Sequence, residues 1–189
     1  MEDIILVGYG GHAKSVADCI EREEKYRIVG YTDIAETSSK YPYLGTDDVL
    51  KEYYLKGIRN VAICQGYLGK GNLREKLYKF VKNIGFELPV IVDPSSIVSD
   101  SAVIGEGTFV GKGVVINAEA SIGKMCIINT KSVVEHECKI GEFVHIAVGA
   151  IICGQVEIKA KAFVGANATV IQCRKIDTGI IVPAGATVR

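Results

Sequence analysis

The second half of the chain repeats one kind of residue at every sixth position. From Val98 to Val188 every sixth residue is Val or Ile, sixteen in succession without an insertion. The residue two places earlier is usually small and the next one is often Gly, Asn or Asp, as in Ala120, Ile122 and Gly123. A β-branched and a small residue facing inward, followed by a turn residue, describe a solenoid of very short strands. Six-residue repeats are typical of parallel β-helices, in which each unit buries its apolar face by stacking on the next.

Residues 1–92 follow a different pattern, in which short apolar runs alternate with helical stretches. The pattern predicts strands at 4–7, 26–31, 60–64 and 88–92, and helices after the first strand, at 46–56 and at 70–82. Such alternation is typical of a small parallel sheet with helices on its faces. Pro94 marks the linker, because proline disfavours helix before it and cannot donate a hydrogen bond. We therefore predict an α/β domain over residues 1–92 and a β-solenoid over residues 93–189.

Composition limits the partners and the compartment. The chain has 189 residues, with 22 basic and 22 acidic side chains. Because there is no basic block, nucleic acid and anionic membrane are not expected partners. No apolar run approaches a membrane span and no leader pattern precedes the first strand, so we expect a cytoplasmic protein. The six cysteines show neither a CxxC pair nor zinc-ligand spacing, and we expect them to be reduced structural residues.

A glycine-rich turn follows the first strand. The segment 8–13 reads Gly-Tyr-Gly-Gly-His-Ala and precedes a helix. Glycines let the backbone approach a ligand, and a helix N-terminus offers N–H groups to phosphate. Asp33 ends the second strand, where such folds place an acid against ribose or base. The domain is too short for a dinucleotide fold, so one nucleotide or a nucleotide sugar fits better. The alternative is a tight turn that binds no ligand.

Two of the three histidines lie in the solenoid, at positions that do not face its core. Three hexads make one coil, so residues eighteen apart stack, and Gly154 is predicted to lie ~4.8 Å along the axis from His136. A histidine beside a backbone N–H supplies a general base and an oxyanion donor, which acyl transfer needs. His145 follows His136 by nine residues, half a coil, so the two are expected to meet only across a subunit boundary.

The chain resembles the bacterial nucleotide-aminosugar N-acetyltransferases and the related sialic-acid O-acetyltransferases. Its most specific motif is the run Glu-His-Glu-Cys at 135–138, followed by Ile-Gly-Glu-Phe at 140–143 and then His145. Members of this family are homotrimers. Each chain has an N-terminal Rossmann-like substrate domain and a C-terminal left-handed β-helix of hexapeptide repeats that binds acetyl-CoA. The resemblance covers essentially the whole chain and implies the same fold and assembly here.

The resemblance also implies residue roles in the β-helix. His136 would act as the general base on the amine of a nucleotide-linked amino sugar, and Glu137 would raise its basicity. His145 would contact acetyl-CoA, the Gly154 N–H would hold the thioester carbonyl, and Ala166 would make a further main-chain contact to the cofactor. No metal is implied.

In the first domain the resemblance assigns the sugar-nucleotide site to four residues: Gly10, Gly11, His12 and Asp33. Relatives often carry two acids where this chain has Thr32 and Asp33. The loop at 64–71 is longer than the Gly-Asn loop of the aminosugar enzymes, and we expect it to face the substrate.

Three alternatives remain at this point. The same base could serve O-acetylation of sialic acid or a related sugar. A γ-type carbonic anhydrase shares the β-helix but needs three zinc-binding histidines from it, whereas this one supplies two. A non-catalytic scaffold is the third, since solenoids also serve as platforms.

Overall fold

The computed structural model describes all residues from 1 to 189 and divides them into two compact units. The first unit comprises residues 1–66 and 72–91, and the second comprises residues 67–71 and 92–189. The predicted domain over residues 1–92 is therefore not continuous, because the segment 67–71 packs with the second unit. None of the helices is long and apolar enough to cross a membrane.

A four-stranded parallel sheet forms the centre of the first unit, in the order β3-β2-β1-β4. Residues 4–7 of β1 are fully buried, as expected for a strand covered on both faces. The strands are β1 (Glu2–Val7), β2 (Tyr26–Thr32), β3 (Tyr43–Gly45) and β4 (Asn60–Ile63).

The helices of the first unit connect these strands. They are α1 (Gly11–Glu23), a 3-10 turn (Asp47–Val49) that leads into α2 (Leu50–Leu55), and α3 (Leu73–Ile84). On α1 the buried residues recur at helical spacing, including Val16, Ala17 and Ile20. These side chains form one apolar face of the helix.

Three details of the first unit differ from the prediction. Helix α3 begins at Leu73 rather than residue 70, because Gly69 and Gly71 have φ values of +79° and +83°, outside the helical region. The short strand β3 was not predicted. Residues 88–92 do not close the sheet: only Glu87 bridges to Asn60, and the segment 91–92 joins the solenoid instead.

The second unit is a parallel β-solenoid of two-residue strands. They form three sheets of five, six and six strands, one on each side of the coil. Strands stack on residues eighteen positions apart, as Ile127 pairs with His145 and Val133 with Ile151. The strands are β5 (Ile91–Val92), β6 (Ile97–Val98), β7 (Val103–Ile104), β8 (Phe109–Val110), β9 (Val115–Ile116), β10 (Ser121–Ile122), β11 (Ile127–Ile128), β12 (Val133–Val134), β13 (Lys139–Ile140), β14 (His145–Ile146), β15 (Ile151–Ile152), β16 (Glu157–Ile158), β17 (Phe163–Val164), β18 (Thr169–Val170), β19 (Lys175–Ile176), β20 (Ile181–Val182) and β21 (Thr187–Val188).

The sixfold Val/Ile positions line the interior of the solenoid. All are buried from Val110 to Val182, and those nearest the two ends pack partly buried against the same core. The small residues two places earlier, such as Ala150 and Cys138, share that interior. The repeat therefore predicted both the register and the core of this unit.

Glycine occurs after the inward residues for a different reason from the predicted turn. They do not adopt a left-handed turn conformation. Instead, a Cβ on Gly123 or Gly141 would come within 2.7 Å or 2.6 Å of the backbone of the next coil. Glycine at these positions allows adjacent coils to approach each other closely.

Candidate active site

His136 lies on a corner of the solenoid, between β12 and β13. Its side chain is 55% exposed, and its Nδ1 lies 3.0 Å from Glu137 Oε2. Glu137 has a φ of +59°, in the left-handed region, and its N–H donates to Ala118 O at 2.9 Å. This turn brings two consecutive side chains together at the surface.

The ionisation of Glu137 determines which nitrogen of the His136 ring carries the proton. Hydrogen bonds from His136, and secondarily from Gln155, lower the pKa of the Glu137 carboxyl below its ordinary value. An ionised carboxylate only accepts, so the proton of a neutral imidazole is held on Nδ1. The lone pair of Nε2 is then available to take a proton, as a general base requires.

Gly154 lies against the ring of His136, as the eighteen-residue spacing predicted. A Cβ on residue 154 would come within 2.6 Å of His136 Nε2 and 2.7 Å of Cε1. The flanking Cys153 and Gln155 N–H groups donate to Val170 O and His136 O, whereas the Gly154 N–H donates to no backbone carbonyl. A backbone donor therefore lies beside the candidate base.

An open groove of about 340 Å³ runs beside this corner. Its lining includes Glu137 and Gln155, so the carboxylate that contacts His136 borders a concave surface that a ligand can enter. A larger groove of about 490 Å³ lies at the amino ends of β1 and β4. Ligands of open parallel sheets bind outside the carboxyl ends of the strands, so this groove lies at the opposite edge from the expected ligand site.

His145 faces outward on β14, as expected, but it is not at the surface. It is 6% exposed because the segment 67–71 covers it. The ring donates from Nδ1 to the Tyr67 carbonyl, and Asn129 Nδ2 lies 3.2 Å from its Nε2. Phe163 packs edge-on against the ring, with centroids 5.1 Å apart. His145 therefore faces away from the core, as predicted, yet it is buried, and the loop expected to face the substrate holds it.

The remaining predicted β-helix residue lies on another corner. Ala166, between β17 and β18, is half-buried, and its carbonyl accepts from the Gly185 N–H at 2.8 Å. His136 and Gly154 share the corner that follows β12 and β15. Within one chain, neither Ala166 nor His145 lies on that corner.

In the first unit the glycine turn and Asp33 lie together. Asp33 Oδ2 accepts from the Tyr9 N–H and Oδ1 from the Ile34 N–H, both at 2.7 Å. Helix α1 starts at Gly11, so His12 belongs to the first turn of the helix. The sequence had placed His12 in the glycine-rich loop before the helix. The Asp33 carboxylate therefore anchors the loop that leads into this helix.

Gly10 and Gly11 are not required by the packing of the protein. Neither has a positive φ, and a Cβ at either position would meet no atom within 4 Å. The space in front of these residues is open, at the N-terminus of a thirteen-residue helix. Open space at such a site fits a phosphate-bearing ligand.

The cysteines agree only in part with expectation. All six are free, and four are buried, but Cys173 is exposed and therefore does not act as a core residue. No group of three or more His, Cys, Asp or Glu side chains is placed to hold a metal ion.

Three residues of this region were not predicted from the sequence. Gln155 donates to Glu137, Tyr67 holds His145 through its carbonyl, and Asn129 contacts the same ring. The eighteen-residue spacing that joined His136 to Gly154 also joins Glu137 to Gln155, so that signal was available. No pattern in the sequence pointed to Tyr67.

Comparisons with known proteins identify the class. Residues 3–81 match the PglD N-terminal domain family. A histidine-to-alanine variant of GDP-perosamine N-acetyl transferase from Caulobacter crescentus, solved with CoA and GDP-perosamine, is 30% identical with a TM-score of 0.90, over 100% of this chain and 89% of that one. The acetyltransferase domain of PglB from Neisseria gonorrhoeae is 29% identical with a TM-score of 0.89, over 100% and 92%.

A second structure of the PglB domain, in complex with acetyl coenzyme A, is 25% identical with a TM-score of 0.69, over 99% of this chain and 95% of that one. The shared architecture is a small Rossmann-like sheet followed by a left-handed β-helix, and together with these matches it places the chain among the hexapeptide-repeat acyltransferases. The chain belongs to the nucleotide-aminosugar N-acetyltransferase family within that class.

Proposed function

We propose that the protein transfers the acetyl group of acetyl-CoA to the amine of a nucleotide-linked amino sugar, with His136 as the general base. The observation that carries this proposal is the exposed His136–Glu137 pair with Gly154 against its ring. The family membership supports the acetyl-CoA-dependent activity. Two of the similar perosamine enzyme structures are variants in which one histidine is replaced.

The reaction follows from the chemistry of the corner. His136 Nε2 takes a proton from the sugar amine as the nitrogen attacks the thioester carbonyl. The Gly154 N–H donates to the oxygen as negative charge develops on it, and Glu137 stabilises the imidazolium through Nδ1. The C–N bond forms, the C–S bond breaks, and the imidazolium returns its proton to the thiolate of CoA.

The sugar nucleotide binds, in this proposal, at the first unit. Gly10 and Gly11 leave space at the N-terminus of α1, where backbone N–H groups attract phosphate. His12 is in the same helical turn, and Asp33 fixes the preceding loop through the Tyr9 N–H. The perosamine enzyme was solved with a GDP-linked sugar, which supports a nucleotide-linked substrate over free sialic acid.

We further propose a homotrimer with sites between subunits. His136 lies on a different corner from Ala166, and His145 lies on β14, in the one sheet that does not border the His136 corner. One chain therefore does not bring the proposed base to the proposed acetyl-CoA contacts. The outward residues of the β6-β9-β12-β15-β18-β21 sheet begin as an apolar column, Ile97, Val115, Val133 and Ile151. A cyclic trimer would bury such a face, and the assembly would be closed.

Co-refolding tests the shared site. His136→Ala and His145→Ala proteins, each nearly inactive, should regain a clear fraction of the wild-type rate when unfolded and refolded together. Light scattering should give a trimer mass for all preparations. Mixed trimers that stay as inactive as their parents would contradict the shared site.

A thiol-release assay tests the activity itself. Acetyl-CoA would be offered with GDP- and UDP-linked amino sugars, including GDP-perosamine, with the matching nucleotide-linked hydroxyl sugars as controls, and with free sialic acids. We expect CoA release with at least one amino sugar and none with its hydroxyl counterpart. Release of CoA only with hydroxyl sugars or sialic acid would mean that the protein is an O-acetyltransferase. No release of CoA with any of the sugars would refute the proposal. A cytoplasmic location stays a prediction from the sequence.

A further inference from the structure

One carboxylate oxygen of Glu137 contacts both His136 and Gln155, the residue that stacks on Glu137 in the next coil. Gln155 Nε2 donates to Glu137 Oε2 at 3.0 Å. The same oxygen lies 3.0 Å from His136 Nδ1. The position of this one oxygen is therefore set from two sides, by the ring it supports and by an amide eighteen residues later.

The backbone conformation fixes the direction in which the side chains of Gln155 and Glu137 leave the coil. Gln155 and Glu137 have φ values of +60° and +59°, at equivalent corners of successive coils. The Gln155 N–H donates to His136 O at 3.0 Å, and the Glu137 N–H donates to Ala118 O at 2.9 Å. Non-glycine residues adopt this conformation uncommonly, and here stacking of the coils holds them in it.

The amide of Gln155 is oriented by a third contact. Cys173 Sγ, one coil further, lies 3.4 Å from Gln155 Oε1 as a donor. With the oxygen turned toward the thiol, the NH₂ group is turned toward Glu137. The amide donates to the carboxylate and accepts from the thiol, so both of its ends have partners.

We infer that Gln155 is a positioning residue for acetyl transfer, holding the Glu137 carboxylate against His136 Nδ1. The inference deepens the proposed function and rests on it for its catalytic meaning. A glutamate free to rotate would leave Nδ1 for much of the time, and the imidazolium would lose its counter-charge. Because glutamine is neutral, it orients Glu137 without adding a second charge to the pair.

The electrostatic surroundings of His136 are mixed. Glu135 accepts weakly from the His136 N–H at 3.4 Å and from Asn117 at 2.9 Å. The groove beside Glu137 adds charges of both signs, and neighbouring corners add an acid and a thiol. These further titratable groups are Lys139, Glu157, Glu119 and Cys173. Only Glu137 binds the ring itself.

Two substitutions at Gln155 should move the titration of His136 in opposite directions. Gln155→Met keeps the length but loses the donor, so Glu137 is released and the imidazolium loses stabilisation. The midpoint of the His136 NMR titration should therefore move to lower pH than in the wild-type protein. Gln155→Glu adds a second carboxylate near the ring, and the midpoint should move to higher pH. Gln172→Met, at an exposed glutamine one coil above Gly154, is the matched control and should leave the titration of His136 unchanged.

The test uses the full-length protein and two independent measurements. NMR of the imidazole Cε1–H, assigned with His136→Ala, gives the pKa without any substrate. The pH profile of kcat should show the same opposite shifts of its acidic limb. The kcat of Gln155→Met should fall about fivefold, while KM for acetyl-CoA stays within about twofold, because positioning of a base affects proton transfer rather than binding.

The outcomes separate the inference from the function. If the two variants titrate as wild type does, or titrate as expected but keep the wild-type kcat, the positioning role is wrong. If wild-type protein acetylates no substrate yet the NMR shifts occur, the contact is as inferred and the proposed function fails instead.

Discussion

Gly154 contacts the imidazole of His136 so closely that no side chain fits between them: a Cβ at 154 would lie 2.6 Å from Nε2. This contact links two residues eighteen apart in sequence through the stacking of adjacent coils. It sets the backbone of one coil beside the candidate base of the coil before it.

Gly154→Ala should reduce kcat by at least ~10²-fold, because the methyl group displaces the ring of the candidate base from its place beside residue 154. The protein should still fold, since the atom in the way is the end of an exposed side chain. Kinetics and thermal unfolding would be measured together. Gly113→Ala, at a corner where other coils carry non-glycine residues, is the control and should keep the wild-type rate.

Glu137→Gln should reduce kcat less than loss of His136 does and should shift its acidic limb to lower pH. The pKa of Glu137 is lowered, so the carboxylate is ionised and supports the imidazolium at neutral pH; that support is lost as pH falls through the lowered value. A neutral glutamine gives no such support, so His136 becomes a weaker base. The pH profile of kcat checks this, and a limb that stays in place or moves to higher pH would count against the pair.

Gly11→Val should raise KM for the sugar nucleotide by at least ~10-fold while KM for acetyl-CoA is unchanged, since the added side chain fills the space in front of the helix N-terminus. The fold should be kept, because no protein atom lies within 4 Å of a Cβ at this position. The two KM values serve as each other's control. An unchanged KM for the sugar nucleotide would move its binding site elsewhere.

Gly69→Ala should release the segment 67–71 from the β-helix. Its φ is +79°, and a Cβ would lie 2.6 Å from Ile181 Cγ1 and 3.1 Å from Phe163 Cβ. The combined strain and overpacking should lower the free energy of unfolding by about 1–3 kcal/mol. Amide exchange across 67–71 should rise, because Tyr67 would lose its contacts with His145 and Lys161.

Gly71→Ala is the matched control for that experiment. Its φ is +83°, but a Cβ there meets nothing within 4 Å, so only the backbone strain is added. Equal effects of the two substitutions on amide exchange would mean that docking of the segment does not depend on contact at Gly69.

The β-helix was predictable in detail because the six-residue period determines both its core and the stacking of its coils. A sixfold repeat determines which residues face inward, and three hexads determine which residues stack, so the contact between His136 and Gly154 followed from counting. The same counting applied to Glu137 would have reached Gln155. The prediction that His145 faces outward was right for the same reason.

The parts without a period were not predictable. The burial of His145 depends on the segment 67–71, whose glycines and Tyr67 carry no pattern of apolar spacing. The strand at 88–92 was wrong because an apolar run of that length fits the edge of a sheet and the first strand of a solenoid equally well. The cause of glycine at Gly123 and Gly141, close approach of coils, becomes visible only in three dimensions.

The kcat of His136→Ala tests the central claim most directly. It would be measured with acetyl-CoA and the best nucleotide-linked amino sugar, beside a thermal unfolding curve for the same protein. We predict a loss of at least ~10²-fold, the usual contribution of a general base, with an unfolding midpoint close to that of wild type because the side chain is exposed. A well-folded His136→Ala protein that acetylates the sugar at the wild-type rate would contradict the assignment of His136 as the base.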